Sequence, residues 1–190
     1  MWPFVPSRSG GFCILTKKNI LIIGGARSGK SSFGIRLAMG LGRRIAFIAT
    51  AEGLDDDMKR RIKRHRQKRP REVATIEEPL KLSQALKRAG REFDCIVIDC
   101  LTLWLSNILK KSDRAIEREI AGFINALRSI RRNVIIISNE VGMGVVPANR
   151  SARRFRDILG GLNQAVASEA ETVILMMSGI PVVIKGKEDI

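Results

Sequence analysis

An apolar run from Ile20 to Ile23 leads into Gly24, Gly25, Ala26, Arg27, Ser28, Gly29, Lys30 and Ser31, and a helical pattern follows. Glycine, four residues, then glycine, lysine and serine, set between a strand and a helix, is the arrangement of a phosphate-binding P-loop. Its chemistry depends on those residue types. Gly24 and Gly29 let the backbone turn tightly, so that successive N–H groups converge on an anion at a helix N-terminus. The Lys30 ammonium then reaches the β- and γ-phosphates of a nucleoside triphosphate. The Ser31 hydroxyl is offered to a Mg²⁺ ion that bridges them. A carboxylate of the same chemistry closes Cys95-Ile96-Val97-Ile98-Asp99, four apolar positions and an acid. Asp99 and Ser31 are therefore the expected metal ligands. The competing use of Asp99 is to cap a helix running from Leu101 to Leu109.

The chain has one histidine, His65, and it sits in the second informative segment. Asp55, Asp56 and Asp57 favour a helix start through the macrodipole, and Pro70 favours its end. Leu54, Met58, Ile62 and His65 fall at helical spacing, which puts His65 on the apolar stripe facing the protein body. Nine Lys or Arg residues lie between Met58 and Arg71. Such a positive field disfavours the imidazolium and keeps the ring nucleophilic, and the same arginines can clamp a phosphate against it. That pairing is what covalent phosphoryl or nucleotidyl transfer to histidine requires, whereas a lone inward histidine without such neighbours is more often structural.

These groups need a scaffold that delivers them to one edge. Short β-branched runs alternate with helical patterns, which predicts βαβ units and an α/β fold of the P-loop NTPase type, a mostly parallel sheet flanked by helices. The predicted strands are Ile20–Ile23, Ile45–Thr50, Cys95–Asp99, Val134–Ser138, Thr172–Met177 and Val182–Ile184. Most are continuous apolar runs, so both faces of the sheet should be covered. The last two are joined by Ser178-Gly179-Ile180-Pro181, too short for a crossover, and should form an antiparallel C-terminal hairpin. Helical spacing recurs in Ile116, Ile120, Phe123, Ile124, Leu127 and Ile130, and again in Phe155, Ile158, Leu159, Leu162 and Val166. Ligands of such sheets sit at the carboxyl ends of the strands, which points to the P-loop, Thr50, Ala51, Glu52, Asp99, Asn139 and Glu140. Glycines in Glu140-Val141-Gly142-Met143-Gly144 mark a hinge or a backbone close to ligand, with no readable chemistry for Glu140 itself.

The 190 residues suit one domain over 19–190, preceded by an aperiodic, flexible tail over 1–18. No run approaches the roughly 18 apolar residues of a membrane span, and the tail has no leader pattern. Cys13, Cys95 and Cys100 lack metal or redox spacing, so a reduced cytoplasmic protein is expected. A net charge of +15 brings an anionic partner into consideration, nucleic acid, a phosphorylated small molecule or anionic lipid, against the alternative of a basic surface that serves solubility. Sparse aromatics argue against single-stranded nucleic acid. The clustering of basic residues around His65 and from Arg150 to Arg156 favours phosphate substrates over a nucleic-acid track.

The ordered blocks resemble a known family. The P-loop, then Ile48-Ala49-Thr50-Ala51, then Asp55-Asp56-Asp57-Met58 through Arg61-Ile62 and His65 to Arg69-Pro70, look like adenosylcobinamide kinase/adenosylcobinamide-phosphate guanylyltransferase of cobalamin biosynthesis. Asp99-Cys100-Leu101-Thr102-Leu103-Trp104-Leu105-Ser106-Asn107 and Asn139-Glu140-Val141-Gly142-Met143-Gly144-Val145-Val146-Pro147 agree in the same order. So do Arg150, Arg154-Phe155-Arg156-Asp157, Gly160 and Asn163-Gln164. The resemblance implies that ATP or GTP first phosphorylates the aminopropanol hydroxyl of adenosylcobinamide. GMP then passes from GTP to that phosphate through a guanylylated histidine, giving adenosylcobinamide-GDP and pyrophosphate. By motif position His65 is that histidine, with Lys30 as the other catalytic residue. Taken with this resemblance, the expected nucleotide-binding residues are Gly24, Gly25, Ala26, Arg27, Ser28, Gly29, Lys30, Ser31, Thr50, Glu52, Arg66, Arg69, Glu77 and Asp99. The family also implies a homotrimer. Val73 stands where its members often carry tryptophan. The rival readings are a P-loop kinase for another small alcohol, which leaves His65 unused, and a nucleic-acid-binding NTPase, which predicts steeply salt-dependent binding.

Overall fold

A computed structural model describes residues 18–67 and 69–186; of the tail expected over 1–18 only Lys18 lies within them, and Cys13 lies outside. In chain order the elements are β1 (Asn19–Gly24), α1 (Lys30–Leu41), β2 (Ile45–Ala49), α2 (Asp56–Gln67), β3 (Val73–Glu77), α3 (Leu82–Glu92) and β4 (Cys95–Asp99). There follow α4 (Leu101–Ile108), α5 (Asp113–Ser129), β5 (Asn133–Ile137), α6 (Arg150–Glu169), β6 (Thr172–Met177) and β7 (Ile180–Lys185). The strands form one seven-stranded sheet in the order β3-β2-β4-β5-β1-β6-β7. All neighbours are parallel except β6 and β7.

Strand residues alternate between two cores, as a period of two requires. Leu21, Ile48, Ile96, Ile98, Val134 and Ile136 pack against helices α3 to α6, where Trp104 and Phe123 meet with ring centroids 5.6 Å apart. Ile20, Ile22, Phe47, Val97, Ile135 and Ile137 form the other core with Ala38 and, partly buried, Phe33, Ile35 and Leu37 of α1. The second face thus has far fewer apolar helical residues on it.

The α/β prediction holds, and so does the hairpin. Its turn is tighter than expected, Ser178 and Gly179 alone, at φ 51° and 86°, the left-handed pair that suits a two-residue hairpin. β7 is correspondingly longer than Val182–Ile184, and Thr50 and Ser138 fall just outside β2 and β5. One strand, β3, is absent from the predicted set. β3 lies at the sheet edge, buries only Val73 and exposes Ala74, Thr75 and Glu77, so it carries almost no apolar signal. Val73, at the position of the family's frequent tryptophan, is an interior residue, 6% exposed.

Register aligns the strand ends. Ala49 stands beside Glu77 on one side and Asp99 on the other, and Asp99 beside Ile137. The P-loop emerges from β1 at the same edge, where the Glu140 N–H donates to the Gly24 carbonyl at 3.2 Å.

Candidate active site

Two glycines make the P-loop possible. At Gly24, φ is +148° and a Cβ would come within 2.4 Å of the Met176 carbonyl oxygen, so only glycine lets β1 pass this close to β6. Gly29 caps α1 in the left-handed region at φ 93°, turning the chain into the helix that begins with Lys30. The Ser28 carbonyl accepts from the Gly179 N–H at 3.1 Å, tying the loop to the hairpin turn. Lys30 is only 7% exposed. Its ammonium donates to the carbonyls of Gly24 at 2.9 Å and Gly25 at 2.5 Å, and to Ser28 Oγ at 3.3 Å. Burial pushes its pKa down, with Cys100 and Asp99 opposing the fall.

Asp99 is half-buried at the end of β4. Burial raises its carboxyl above the ordinary carboxylate value. A hydrogen bond from the Ser31 hydroxyl and the basic side chains of His65, Arg69 and Lys30 oppose that rise. Cys100, not Asp99, is the N-cap residue of α4. Cys100 makes no side-chain cap hydrogen bond, and Asp99 faces the P-loop, accepting from the Ser31 hydroxyl. Ser31 and Asp99 offer a hydroxyl and a carboxylate side by side, hard oxygen donors of the kind Mg²⁺ takes when substrate phosphates complete its shell. Among the described residues no group of three or more His, Cys, Asp or Glu could hold a metal unaided.

α2 begins as its sequence requires, with the Asp55 carboxylate accepting from the Met58 N–H at 2.7 Å. Met58, Ile62 and His65 line the cavity in front of the P-loop, so the stripe points where the spacing says. His65 is nevertheless exposed rather than interior, and Leu54, first on the stripe, is 76% exposed. The reason is the thin apolar cover on this face of the sheet, which leaves α2 beside an open cavity. Arg69 lies with its guanidinium carbon 3.9 Å from the centroid of the Phe47 ring and donates to Thr75 Oγ1 at 3.0 Å. Burial lowers its pKa, with Asp99 opposing. Arg66 pairs with Glu77 at 3.5 Å, a contact that exists because β3 brings Glu77 level with Asp99.

The cavity has a volume of about 500 Å³. Its lining brings together Ala26, Arg27, Ser28, Gly29, Lys30, Ser31, His65, Arg66, Arg69, Glu77 and Asp99 of the expected set. Gly24, Gly25, Thr50 and Glu52 are not in it. Thr50 is fully buried, its hydroxyl donating to the Cys100 carbonyl at 2.7 Å and accepting from the Cys100 N–H at 2.8 Å. It holds β2 against β4 behind the site. Phe47, Met58, Ile62, Leu103 and Asn139 also line the cavity. Spacing marked Met58 and Ile62 as inward, whereas Phe47 carries no sequence signal beyond belonging to a strand.

The second basic cluster behaves differently. Arg153 donates to the Pro147 and Ala148 carbonyls, Arg154 pairs with Asp113, and Arg156 pairs with Asp157 at 3.1 Å. None of 150–156 lines the cavity; Arg153 ties the loop before α6 to the helix, and Arg154 ties α6 to α5. Glu140 likewise turns onto its own loop, accepting from the Gly142 N–H at 2.7 Å.

The family described as cobinamide kinase / cobinamide phosphate guanyltransferase matches residues 20–184. The chain belongs to that family. It is an enzyme of the corresponding bifunctional kinase and guanylyltransferase type. It is 42% identical to the "Bifunctional adenosylcobalamin biosynthesis protein CobP" of Pseudomonas aeruginosa, over 88% of this chain and 97% of that protein. It is 38% identical to the "Bifunctional adenosylcobalamin biosynthesis protein CobU" of Escherichia coli, over 87% and 99%. Among solved structures it resembles the flagellar accessory protein FlaH of Methanocaldococcus jannaschii, with a TM-score of 0.53 at 15% identity over 90% of this chain and 80% of that one. It also resembles the RadB recombinase, with a TM-score of 0.52 at 12% identity over 91% and 83%. At such identities the likeness is one of fold, a P-loop NTPase core.

Proposed function

We propose that the chain phosphorylates the aminopropanol hydroxyl of adenosylcobinamide with ATP or GTP, and then transfers GMP from GTP to the new phosphate through His65. The observation that supports this reading is that His65 lines one cavity with Lys30, Ser31 and Asp99. In the first step the alcohol oxygen attacks the γ-phosphorus, the bond to the β-phosphate oxygen breaks, and a nucleoside diphosphate leaves. The P-loop N–H groups orient the phosphates, and Lys30 exchanges its carbonyl partners for phosphate oxygens as charge moves onto the leaving group. Ser31 and Asp99 would hold Mg²⁺, whose chemistry is to neutralise and align those phosphates. In the second step an imidazole nitrogen of His65 attacks the α-phosphorus of GTP and pyrophosphate leaves. A phosphate oxygen of the acceptor then attacks that phosphorus, the phosphorus–nitrogen bond breaks, and the imidazole is freed. Arg66 and Arg69, beside His65, draw charge off the phosphate that is attacked.

The same reading includes a homotrimer, carried by the family resemblance, and work in the cytoplasm. No described helix is long and apolar enough to cross a membrane. Cys95 and Cys100 are both free thiols, which suits a reducing compartment.

The test is covalent labelling. Protein incubated with Mg²⁺ and α-labelled GTP should retain label through denaturation, in a bond that is acid-labile and stable to alkali. His65→Ala should lose the label and guanylyl transfer yet keep cobinamide phosphorylation, since that direct transfer needs no covalent intermediate. Wild-type protein that takes no label at any GTP concentration, or an Ala variant that still makes adenosylcobinamide-GDP, overturns the covalent route. The chain would then be read as an ordinary P-loop kinase.

A further inference from the structure

A second cavity, of about 330 Å³, adjoins the first and shares with it Ser31, Ser32, Phe47, His65, Arg69 and Asp99. Its remaining lining comes from two helices and the chain after them: Ile35, Arg36 and Met39 of α1, and Arg64 and Pro70. None of the loop residues 24–30 borders it. The cavity therefore reaches the reacting groups without crossing the phosphate cradle. In-line displacement puts the attacking and leaving oxygens on opposite sides of phosphorus. If the triphosphate lies along the loop, the acceptor has to arrive from elsewhere.

The chemistry of this lining is specific. Ser32, Ile35, Arg36 and Met39 follow one another at helical spacing, so one face of α1 presents apolar and cationic groups together. Across from them stands Arg64. Three arginines and His65 line the cavity against one carboxylate, Asp99. Arg66, Arg154 and Arg156 each pair with a carboxylate, but among the described residues neither Arg36 nor Arg64 does. Two guanidiniums beside a nucleophile and an apolar wall fit an anion carried on a largely apolar body. Guanidinium is the side chain best shaped to hold a phosphate by paired hydrogen bonds.

We propose that this second cavity is the acceptor site, in which Arg36 and Arg64 hold the phosphate of the phosphorylated acceptor while Ile35 and Met39 meet its apolar body. The proposal rests on the two-step reading above. It makes Arg36 and Arg64 positioning residues of the second step: they hold the acceptor while one of its phosphate oxygens attacks the phosphorus on His65 and the electron pair of the broken bond returns to the imidazole. The alcohol of the first step has no phosphate for them to grip.

Arg36→Met and Arg64→Met, singly and together, keep an apolar stem and remove the charge from exposed side chains. The KM for cobinamide phosphate in guanylyl transfer should rise about tenfold or more for each arginine removed, with kcat near wild type. The KM for cobinamide in the kinase step should change by about twofold at most, and label on His65 from α-labelled GTP should stay at the wild-type level. An unchanged KM for cobinamide phosphate in the double variant overturns the proposal. So does a loss of His65 labelling that tracks the loss of transfer, because the arginines would then belong to the nucleotide. Wild-type protein that takes no label removes the two-step reading instead. Equilibrium dialysis of cobinamide phosphate against the nucleotide-free protein then decides the cavity by the same tenfold weakening or its absence.

Discussion

Asp99 works against the stability of the protein that needs it. Burial raises its carboxyl more than Ser31, His65, Arg69 and Lys30 together lower it, so the folded chain holds its proton more tightly than the unfolded chain. An acid of that kind costs stability wherever the unfolded group is ionised, and the cost fades as pH falls toward the ordinary value of 3.8 and below. Asp99→Asn keeps the shape and removes the charge. It should therefore melt higher than wild type at pH 7, with the difference shrinking at pH 4, while both half-reactions lose their dependence on Mg²⁺ along with most of their rate. Thermal unfolding at the two pH values, together with a Mg²⁺ titration of activity, checks both halves. A variant that melts lower at pH 7 would mean that the ion pairs outweigh burial. An unchanged Mg²⁺ titration would take Asp99 out of the metal site. Lys30 is likewise perturbed by burial, which lowers its pKa against Cys100 and Asp99, and its ammonium donates to the Gly24 and Gly25 carbonyls, partners that a phosphate can replace.

Among the elements, the strand ends are held by amides that do not themselves line the cavity. Asn163 of α6 accepts from the Ser138 hydroxyl at 2.7 Å and donates to the Asn139 carbonyl at 3.1 Å, fixing the chain just after β5 where it borders the cavity. Asn107 of α4 does the same for the ends of β2 and β3, donating to the Thr50 and Pro79 carbonyls at 2.7 and 3.1 Å. Asn163→Ala leaves the buried Ser138 hydroxyl without its acceptor, at a cost of about 1–3 kcal/mol, and frees the partly buried Asn139 carbonyl. It should lower the denaturant midpoint by a corresponding amount and reduce both activities through a looser site. A midpoint within error of wild type would mean that water takes the place of the amide. What was legible beforehand follows the same division. Apolar runs and the P-loop letters gave β1, β2, β4, β5 and β6, because those strands are buried on both faces. β3 hid because an edge strand with one buried residue has no pattern to read, and with it hid the reason Glu77 reaches Arg66. The acidic start of α2 and its stripe placed His65 on the right face, but no spacing rule reports how much of the sheet α1 and α2 leave open. Thr50, expected among the ligand-end residues, has its hydroxyl engaged with Cys100 behind the cavity, a use that spacing alone does not distinguish. The second cavity needs two helices that are far apart in the chain, so Arg36 and Arg64 became visible only once folded.

At the scale of the whole molecule, one edge of the sheet ends in apolar side chains open to water. β7 alternates as a strand must: Val183 packs toward the α1 side of the sheet, while Ile180, Val182 and Ile184 are 64%, 43% and 56% exposed. Met177 on β6, paired with Ile180, is 60% exposed beside them. Among the described residues β7 is the last strand of the sheet, and no described strand pairs with its outer side. A strip of this kind on a free edge is what subunits cover when they associate, and it gives the expected homotrimer a surface on which to form. The protein should then sediment at three times the chain mass of 21.1 kDa. Ile180→Glu with Ile184→Glu places two carboxylates on the strip without touching the P-loop, α2 or either core, so the fold should survive while association does not. Sedimentation equilibrium on the two proteins at equal concentration decides it. A wild-type monomer removes the trimer, and a double variant that still sediments as a trimer moves the contact away from the hairpin. A variant of single-chain mass that keeps its far-ultraviolet dichroism identifies the β6–β7 edge as the surface through which the copies meet.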